Sequence, residues 1–177
     1  GFEDEEQIND EWLQKITAER YELYQLQSKY WSKPTDFEKL AHAFNQLNHQ
    51  HIIALHRAGY TKQDGYADVQ EVIDQLKDPN SIKGYCFYHT QDLERAIDPS
   101  IKNLYLAFDA TTQNDETALA VGHTIIDVLR HHGLSTQWNG SITERIEITN
   151  INWQKTPDFQ SWDTSRSIYI LNQKKIN

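Results

Sequence analysis

The sequence is poor in cysteine and has no long apolar run. Its 177 residues include one cysteine, Cys86, so neither an internal disulfide nor a zinc site with several thiolate ligands is possible. No apolar stretch reaches the roughly 18 residues that a transmembrane helix needs. We therefore expect no membrane partner and predict a cytoplasmic protein, although a signal peptide upstream of Gly1 stays compatible with the sequence.

Basic residues are also scarce. The chain has 17 lysines and arginines against 26 aspartates and glutamates, which gives a formal net charge of −9. Proteins that bind nucleic acid or anionic membranes rely on clustered lysine and arginine, so we expect neither partner. An acidic surface is complementary to a basic protein, but it also serves solubility and does not identify a partner by itself.

The common catalytic and cofactor motifs are missing. The sequence contains no Gly-x-Gly-x-x-Gly, no phosphate-binding loop with its lysine and no Gly-x-Ser-x-Gly. Among the eight histidines, His42, His49 and His56 are spaced seven residues apart. On one helix that spacing is a rise of about 10.5 Å, too long for two rings to share an ion. We expect no metal site and no cofactor.

The first part of the chain has helical patterning. Six acidic residues within positions 3–11 are typical of a solvated helix start, and apolar residues then recur at helical spacing over 11–31. A strongly amphipathic second helix is predicted over Thr35–His56. A third, shorter helix is predicted over Tyr66–Lys77.

The rest of the chain alternates between strand and helix patterns. The predicted elements are strands at 84–89 and 103–109, helices at 90–96 and 116–132, a hairpin of strands at 134–138 and 145–151, and a last strand at 167–171. This order predicts an α+β fold, in which N-terminal helices precede a mixed β-sheet with packed helices. We predict one domain over residues 1–177, with a mainly helical part at 1–80 and an α/β part at 81–177.

The stretch Gly84–Ala96 is the candidate site. Ligands of open α/β sheets bind where a strand leads into a helix, and exposed helix N–H groups favour anions. His89 has a side chain suited to act as a base near neutral pH, oriented by Asp92 or Glu94. The candidate catalytic residues are His89 and Asp92, and the candidate ligand-binding residues are Thr90, Gln91, Glu94 and Arg95.

The same residues also fit a purely structural role, which we favour. Thr90 is a suitable helix cap, and Asp92 and Glu94 complement the dipole of the helix start. Arg95 would then pair with a nearby acid, and Cys86 would be a small core residue.

The segment 84–96, G-Y-x-F-Y-H-x-Q-D-x-E-R-A, resembles the signature of an uncharacterised bacterial family of domains of unknown function. Leu104–Phe108 and Arg145-Ile146 are similar to its later motifs, so the resemblance covers about residues 36–155. It implies a fold but no mechanism. The resemblance also implies paired cysteines shortly before the signature, as in many relatives, but this chain has His56–Thr61 there without cysteine, so no role based on those cysteines is expected.

Three functional hypotheses follow. The first is a non-enzymatic acidic binding module, of the immunity- or antitoxin-like kind, that masks a basic protein partner. The alternative is a small hydrolase or transferase that uses His89 and Asp92 on an anionic small molecule. The third is an oligomer formed through the helix face that carries His42, His49 and His56. The sequence leaves the oligomeric state open.

Overall fold

A computed structural model describes residues 2–173, with side chains described from Asp10 onward. The helices are α1 (Phe2–Ser28), α2 (Asp36–His49), α3 (Lys62–Asp74), α4 (Thr90–Ile97), α5 (Asp115–His131) and α6 (Thr164–Leu171). The strands are β1 (Ile52–Leu55), β2 (Gly84–Phe87), β3 (Leu104–Ala110), β4 (Thr136–Gln137) and β5 (Ile146–Ile148). Helices packed on a mixed sheet confirm the predicted α+β fold. Within residues 2–173 none of the helices has the length and apolar character that crossing a membrane requires.

The five strands form one sheet in the order β1-β2-β3-β5-β4. β1 and β2 are parallel, and the other neighbours are antiparallel. The β2–β3 pair needs a glycine at position 84, because a Cβ there would lie 2.5 Å from the backbone oxygen of Asp109. The predicted hairpin at 134–151 is present as β4 and β5, with shorter strands than expected.

Apolar side chains cover both faces of the sheet. On one face α2 and α5 pack against alternate strand residues, and the buried side chains there include Leu40, Phe44, Ile125, Leu129, Leu106 and Ile146. On the other face α3 and α6 cover Ile53, Leu55, Phe87 and Ala107. Residues that alternate along β1 therefore enter different cores, as the two-residue period of a strand requires.

The prediction of a helix over Thr35–His56 is wrong at its C-terminal end. α2 ends at His49, and His51 then has a φ of +65°, which turns the chain out of the helix. The run Ile52–Leu55 is β1, with all four residues buried. A short apolar run is compatible with both the helix and the strand period. Here the run forms a strand because it pairs with β2. His56 therefore does not share a helix face with His42 and His49.

The predicted strand at Ser167–Leu171 is also wrong, because this segment belongs to α6. The Asp163 side chain caps that helix by accepting a hydrogen bond from the Ser165 N–H at 2.9 Å. Ile168 and Leu171 pack on the second core, whereas Tyr169 between them is exposed. The alternation that suggested a strand is thus one turn of a helix with a single buried side.

Candidate functional site

His89 lies at the junction between β2 and α4 and is the N-cap of α4. Its Nδ1 accepts a hydrogen bond from the Asp92 N–H at 3.4 Å, and its own N–H donates to Asp92 Oδ2 at 3.2 Å. These two bonds form a reciprocal capping box. The prediction that Thr90 caps the helix is wrong, because Thr90 is the first helical residue and its hydroxyl donates to the Gly59 carbonyl at 3.0 Å.

Asp92 is the centre of a buried ionic cluster. Its side chain is fully buried, and Oδ1 accepts hydrogen bonds from Arg145 Nη1 at 2.7 Å and Arg95 Nη1 at 3.3 Å. Its Oδ2 lies 3.1 Å from His89 Nε2. The Arg145 guanidinium also lies over the Tyr105 ring, 4.8 Å from its centroid. Every side of the carboxylate is occupied by protein groups, which is the condition for burying a charge.

The environment of His89 keeps its imidazole neutral. Burial lowers the pKa of His89, the charges of Arg145 and Arg95 lower it further, and the Asp92 carboxylate opposes this shift. A neutral Nδ1 has the lone pair that the cap requires. Because His89 is only 5% exposed, a substrate has little access to its ring. The arrangement accounts for a rigid junction, and catalysis by His89 and Asp92 stays a prediction.

The structure separates five of the six candidate residues into two groups, and Thr90 is half-buried between them. His89 and Asp92 are buried, whereas Gln91, Glu94 and Arg95 are exposed on α4. These three residues border a shallow cavity of about 280 Å³. Among the described residues, only Arg95 links the two sets, through its contact with Asp92, and the cavity that it borders is not lined by His89 or Asp92.

A larger cavity, of about 810 Å³, opens beside the strand ends. Its wall is rich in aromatic residues and includes Tyr24, Phe37, Tyr88, Trp153 and Trp162. Neither His89 nor Asp92 is among the described residues that line it. The cavity at this edge of the sheet is thus lined by residues next to the predicted site, such as Tyr88 and Leu93, and not by its catalytic candidates.

His56 lies in this cavity wall and was not predicted as a site residue. Its Nδ1 is 3.1 Å from the Tyr88 hydroxyl, and its Nε2 is buried with no hydrogen-bond partner among the described residues. Burial lowers the pKa of His56 to about 3, and the nearby charges of Arg166 and Lys155 lower it further. His56 could have been predicted if Ile52–Leu55 had been recognised as a strand. β1 and β2 are parallel, so the residues that follow Leu55 and Phe87, His56 and Tyr88, lie at the same edge of the sheet.

Among the described residues, the remaining reactive groups do not form a metal or thiol site. Within the described part of the chain, no three His, Cys, Asp or Glu side chains are grouped so that they could hold a metal ion. Cys86 is fully buried in the core, and burial raises the pKa of its thiol. The thiol is therefore protonated at neutral pH and behaves as a core side chain.

The chain belongs to the DUF6891 family, described as a domain of unknown function, whose model matches residues 2–157. The resemblance to an uncharacterised family is thereby confirmed. The match begins well before residue 36, where the resemblance was expected to start, so α1 is part of the family domain. A search of curated proteins and a search of solved structures find no match.

Proposed function

We propose that this DUF6891 domain is a non-enzymatic acidic binding module that uses α1 to dock onto a basic protein. In its specific form, the module masks that partner as an immunity protein or antitoxin does, in the cytoplasm. The observation that carries the proposal is the combination of exposed apolar residues and concentrated negative charge on one long helix.

Three apolar residues of α1 form a stripe along the helix, of which Trp12 and Leu23 are exposed and Ile16 is half-buried. Successive helical residues are about 100° apart, so Trp12, Ile16 and Leu23 fall within about 40° of one another. The side chains of Trp12 and Leu23 are 59% and 55% exposed. Tyr24 lies on a different side of the helix and donates a hydrogen bond to the Lys155 carbonyl at 2.6 Å. α1 is thus anchored near its C-terminal end and presents an uncovered apolar stripe.

The charge of α1 favours a basic occupant for that stripe. The helix sequence contains eight acidic and two basic residues, a net charge of −6 out of −9 for the whole chain. A second copy of the chain would bring two such helices together and would be repelled. A groove with an apolar floor and basic edges complements both features, in the manner of an amphipathic helix bound in a groove.

The alternative function, a hydrolase or transferase at His89 and Asp92, has less support. Both side chains are buried, and the Asp92 carboxylate is held by two arginines and by the cap. A general base needs an open path to the proton that it removes. The geometry therefore favours a structural role for this pair.

Site-specific photocrosslinking in the native host tests the docking proposal. A benzophenone amino acid replaces Trp12 in one protein and Tyr169, which is 70% exposed on α6, in the control. We expect position 12 to capture one protein rich in lysine and arginine, with a yield that falls as salt increases. Position 169 should capture none of it. Crosslinks that join two copies of this chain, or none at position 12, would refute the proposal.

The captured partner then allows a quantitative test. We expect Trp12→Ala and Leu23→Ala each to weaken binding about tenfold, as truncations of central apolar contacts do. The double variant should also fail to suppress the activity of the partner, whereas Tyr169→Ala should bind and suppress like the wild type. Equal affinities for all these variants would place the interface elsewhere.

A further inference from the structure

The aromatic cavity beside β1 and β2 has the size and composition of a small-molecule site. Its volume of about 810 Å³ lies in the range of cofactor and ligand pockets, roughly 300–1,000 Å³. Phe37 makes edge-to-face contacts with Trp153 and Trp162, at centroid distances of 5.2 and 4.8 Å. These contacts hold the rings in place, so the apolar wall is preformed for a flat apolar group.

His56 supplies a hydrogen-bond donor to this wall. We assign the Tyr88 hydroxyl as the donor to His56 Nδ1, because the reverse assignment would leave both the hydroxyl hydrogen and Nε2 without partners among the described residues. The other ring nitrogen, Nε2, therefore carries the hydrogen. This buried N–H has no partner among the described residues, although an unpaired buried donor is unfavourable. A ligand with an acceptor oxygen would satisfy it.

Lys155 gives the cavity a positive charge. Its Nζ lies 5.5 Å from the ring centroids of both Phe37 and Trp162, and its ion pair with Asp158 is long, at 3.8 Å. The two acids in the wall are already engaged. Asp158 accepts a hydrogen bond from Trp162 Nε1 at 3.0 Å, and Asp163 caps α6. The cations of the wall, Lys155 and Arg57, are thus the charged groups left to pair with a ligand.

We propose that this cavity binds a small aromatic carboxylate. The ring of the ligand lies against Phe37, Trp153 and Trp162, and its carboxylate accepts a hydrogen bond from His56 Nε2 and pairs with Lys155. A quaternary ammonium ion, the usual ligand of an aromatic cage, is disfavoured because the Lys155 ammonium already lies over two of the rings. The proposal does not depend on the docking of a protein to α1.

Calorimetric titration of the full chain with three probes that share a naphthalene ring tests the ligand class. The probes are 2-naphthoate, its neutral amide and (2-naphthylmethyl)trimethylammonium. We expect the carboxylate to bind, the amide to bind about tenfold more weakly and the ammonium compound not to bind. Absence of heat with the carboxylate at two well-separated temperatures, or equal affinities for all three probes, would overturn the proposal.

Matched lysine variants test the site itself. Lys155→Gln should weaken 2-naphthoate binding about tenfold, and Lys83→Gln, at an exposed lysine outside the cavity wall, should leave it unchanged. Near-ultraviolet circular dichroism checks that both variants are folded. NMR of ¹⁵N-histidine-labelled chain should show the Nε2 signal of His56 shifting on addition of 2-naphthoate. Equal affinities of the two variants, or an unchanged His56 signal, would place the ligand elsewhere.

Discussion

Arg145 and Asp92 form an ion pair of 2.7 Å between residues 53 positions apart in the chain. Arg145 immediately precedes β5, and Asp92 lies in the first turn of α4. The carboxylate is fully buried, whereas the arginine side chain is 31% exposed. This pair connects α4 to β5, the strand that pairs with β3. It also orients the Asp92 carboxylate, which completes the His89 cap.

Removal of the Asp92 charge should destabilise the fold strongly. We expect Asp92→Asn to lower the free energy of unfolding by about 3 kcal/mol, because a buried charge network loses its central anion. Arg145→Gln should cost about 2 kcal/mol, since the carboxylate then stays buried with a single arginine. Urea unfolding measures both values.

Arg95 offers a matched control for this prediction. Its Nη1 lies 3.3 Å from Asp92 Oδ1, the oxygen that Arg145 also contacts, but the Arg95 side chain is 45% exposed. Arg95→Gln should therefore change stability by less than about 1 kcal/mol. If Arg95→Gln lowers the free energy of unfolding as much as Arg145→Gln does, the Arg145–Asp92 pair is not what holds α4 in place.

Much of the fold could be predicted from sequence, because local patterns of apolar and turn residues determine most of its helices and strands. The strand at 84–87, the helix after His89 and the buried strand at 104–110 all follow from apolar runs and turn residues. β1 and α6 were missed because runs such as Ile52–Leu55 fit two periods, and only tertiary pairing decides between them. A strand-to-helix junction was likewise recognisable at His89.

The partners of the site residues could not be predicted in the same way. Arg145 reaches Asp92 only because β5 pairs with β3, and no local pattern encodes that approach. His56 was assigned to a helix, so its position beside Tyr88 at the ends of two parallel strands was lost with that assignment. Long-range contacts, and the cavity that they enclose, depend on the sheet order.

The capping role of His89 predicts a difference between two substitutions. His89→Ala removes the acceptor for the Asp92 N–H and should cost about 1–2 kcal/mol of stability. His89→Asn keeps a side-chain acceptor and should lose less than about 0.5 kcal/mol, since asparagine is a favoured cap. Thermal unfolding of the two variants compares them directly. Equal losses would show that packing of the imidazole matters more than the cap.

The hydrogen bond between His56 and Tyr88 predicts non-additive mutations. His56→Phe leaves the buried Tyr88 hydroxyl without its partner, and Tyr88→Phe leaves His56 Nδ1 without one. Each single change should cost about 1–3 kcal/mol. The double variant removes both polar groups together with the unpaired Nε2–H, so its stability should be close to that of the wild type. Additive losses in a double-mutant cycle would contradict this pairing.

The lowered pKa of His56 predicts a specific loss of stability in acid. The folded pKa is about 3, against an ordinary value of 6.5 in the unfolded chain, so unfolding takes up a proton between these values. The contribution is complete above about pH 6.5 and falls by about 1.4 kcal/mol per pH unit below it. Urea unfolding at pH 5 and pH 7 measures this loss.

Burial lowers the pKa of His89 in the same direction, so the wild type should lose more stability than His56 alone explains. The His56→Phe/Tyr88→Phe variant retains the His89 share and isolates the difference. Parallel losses in the two proteins would mean that His56 is protonated as easily in the folded chain as in the unfolded one.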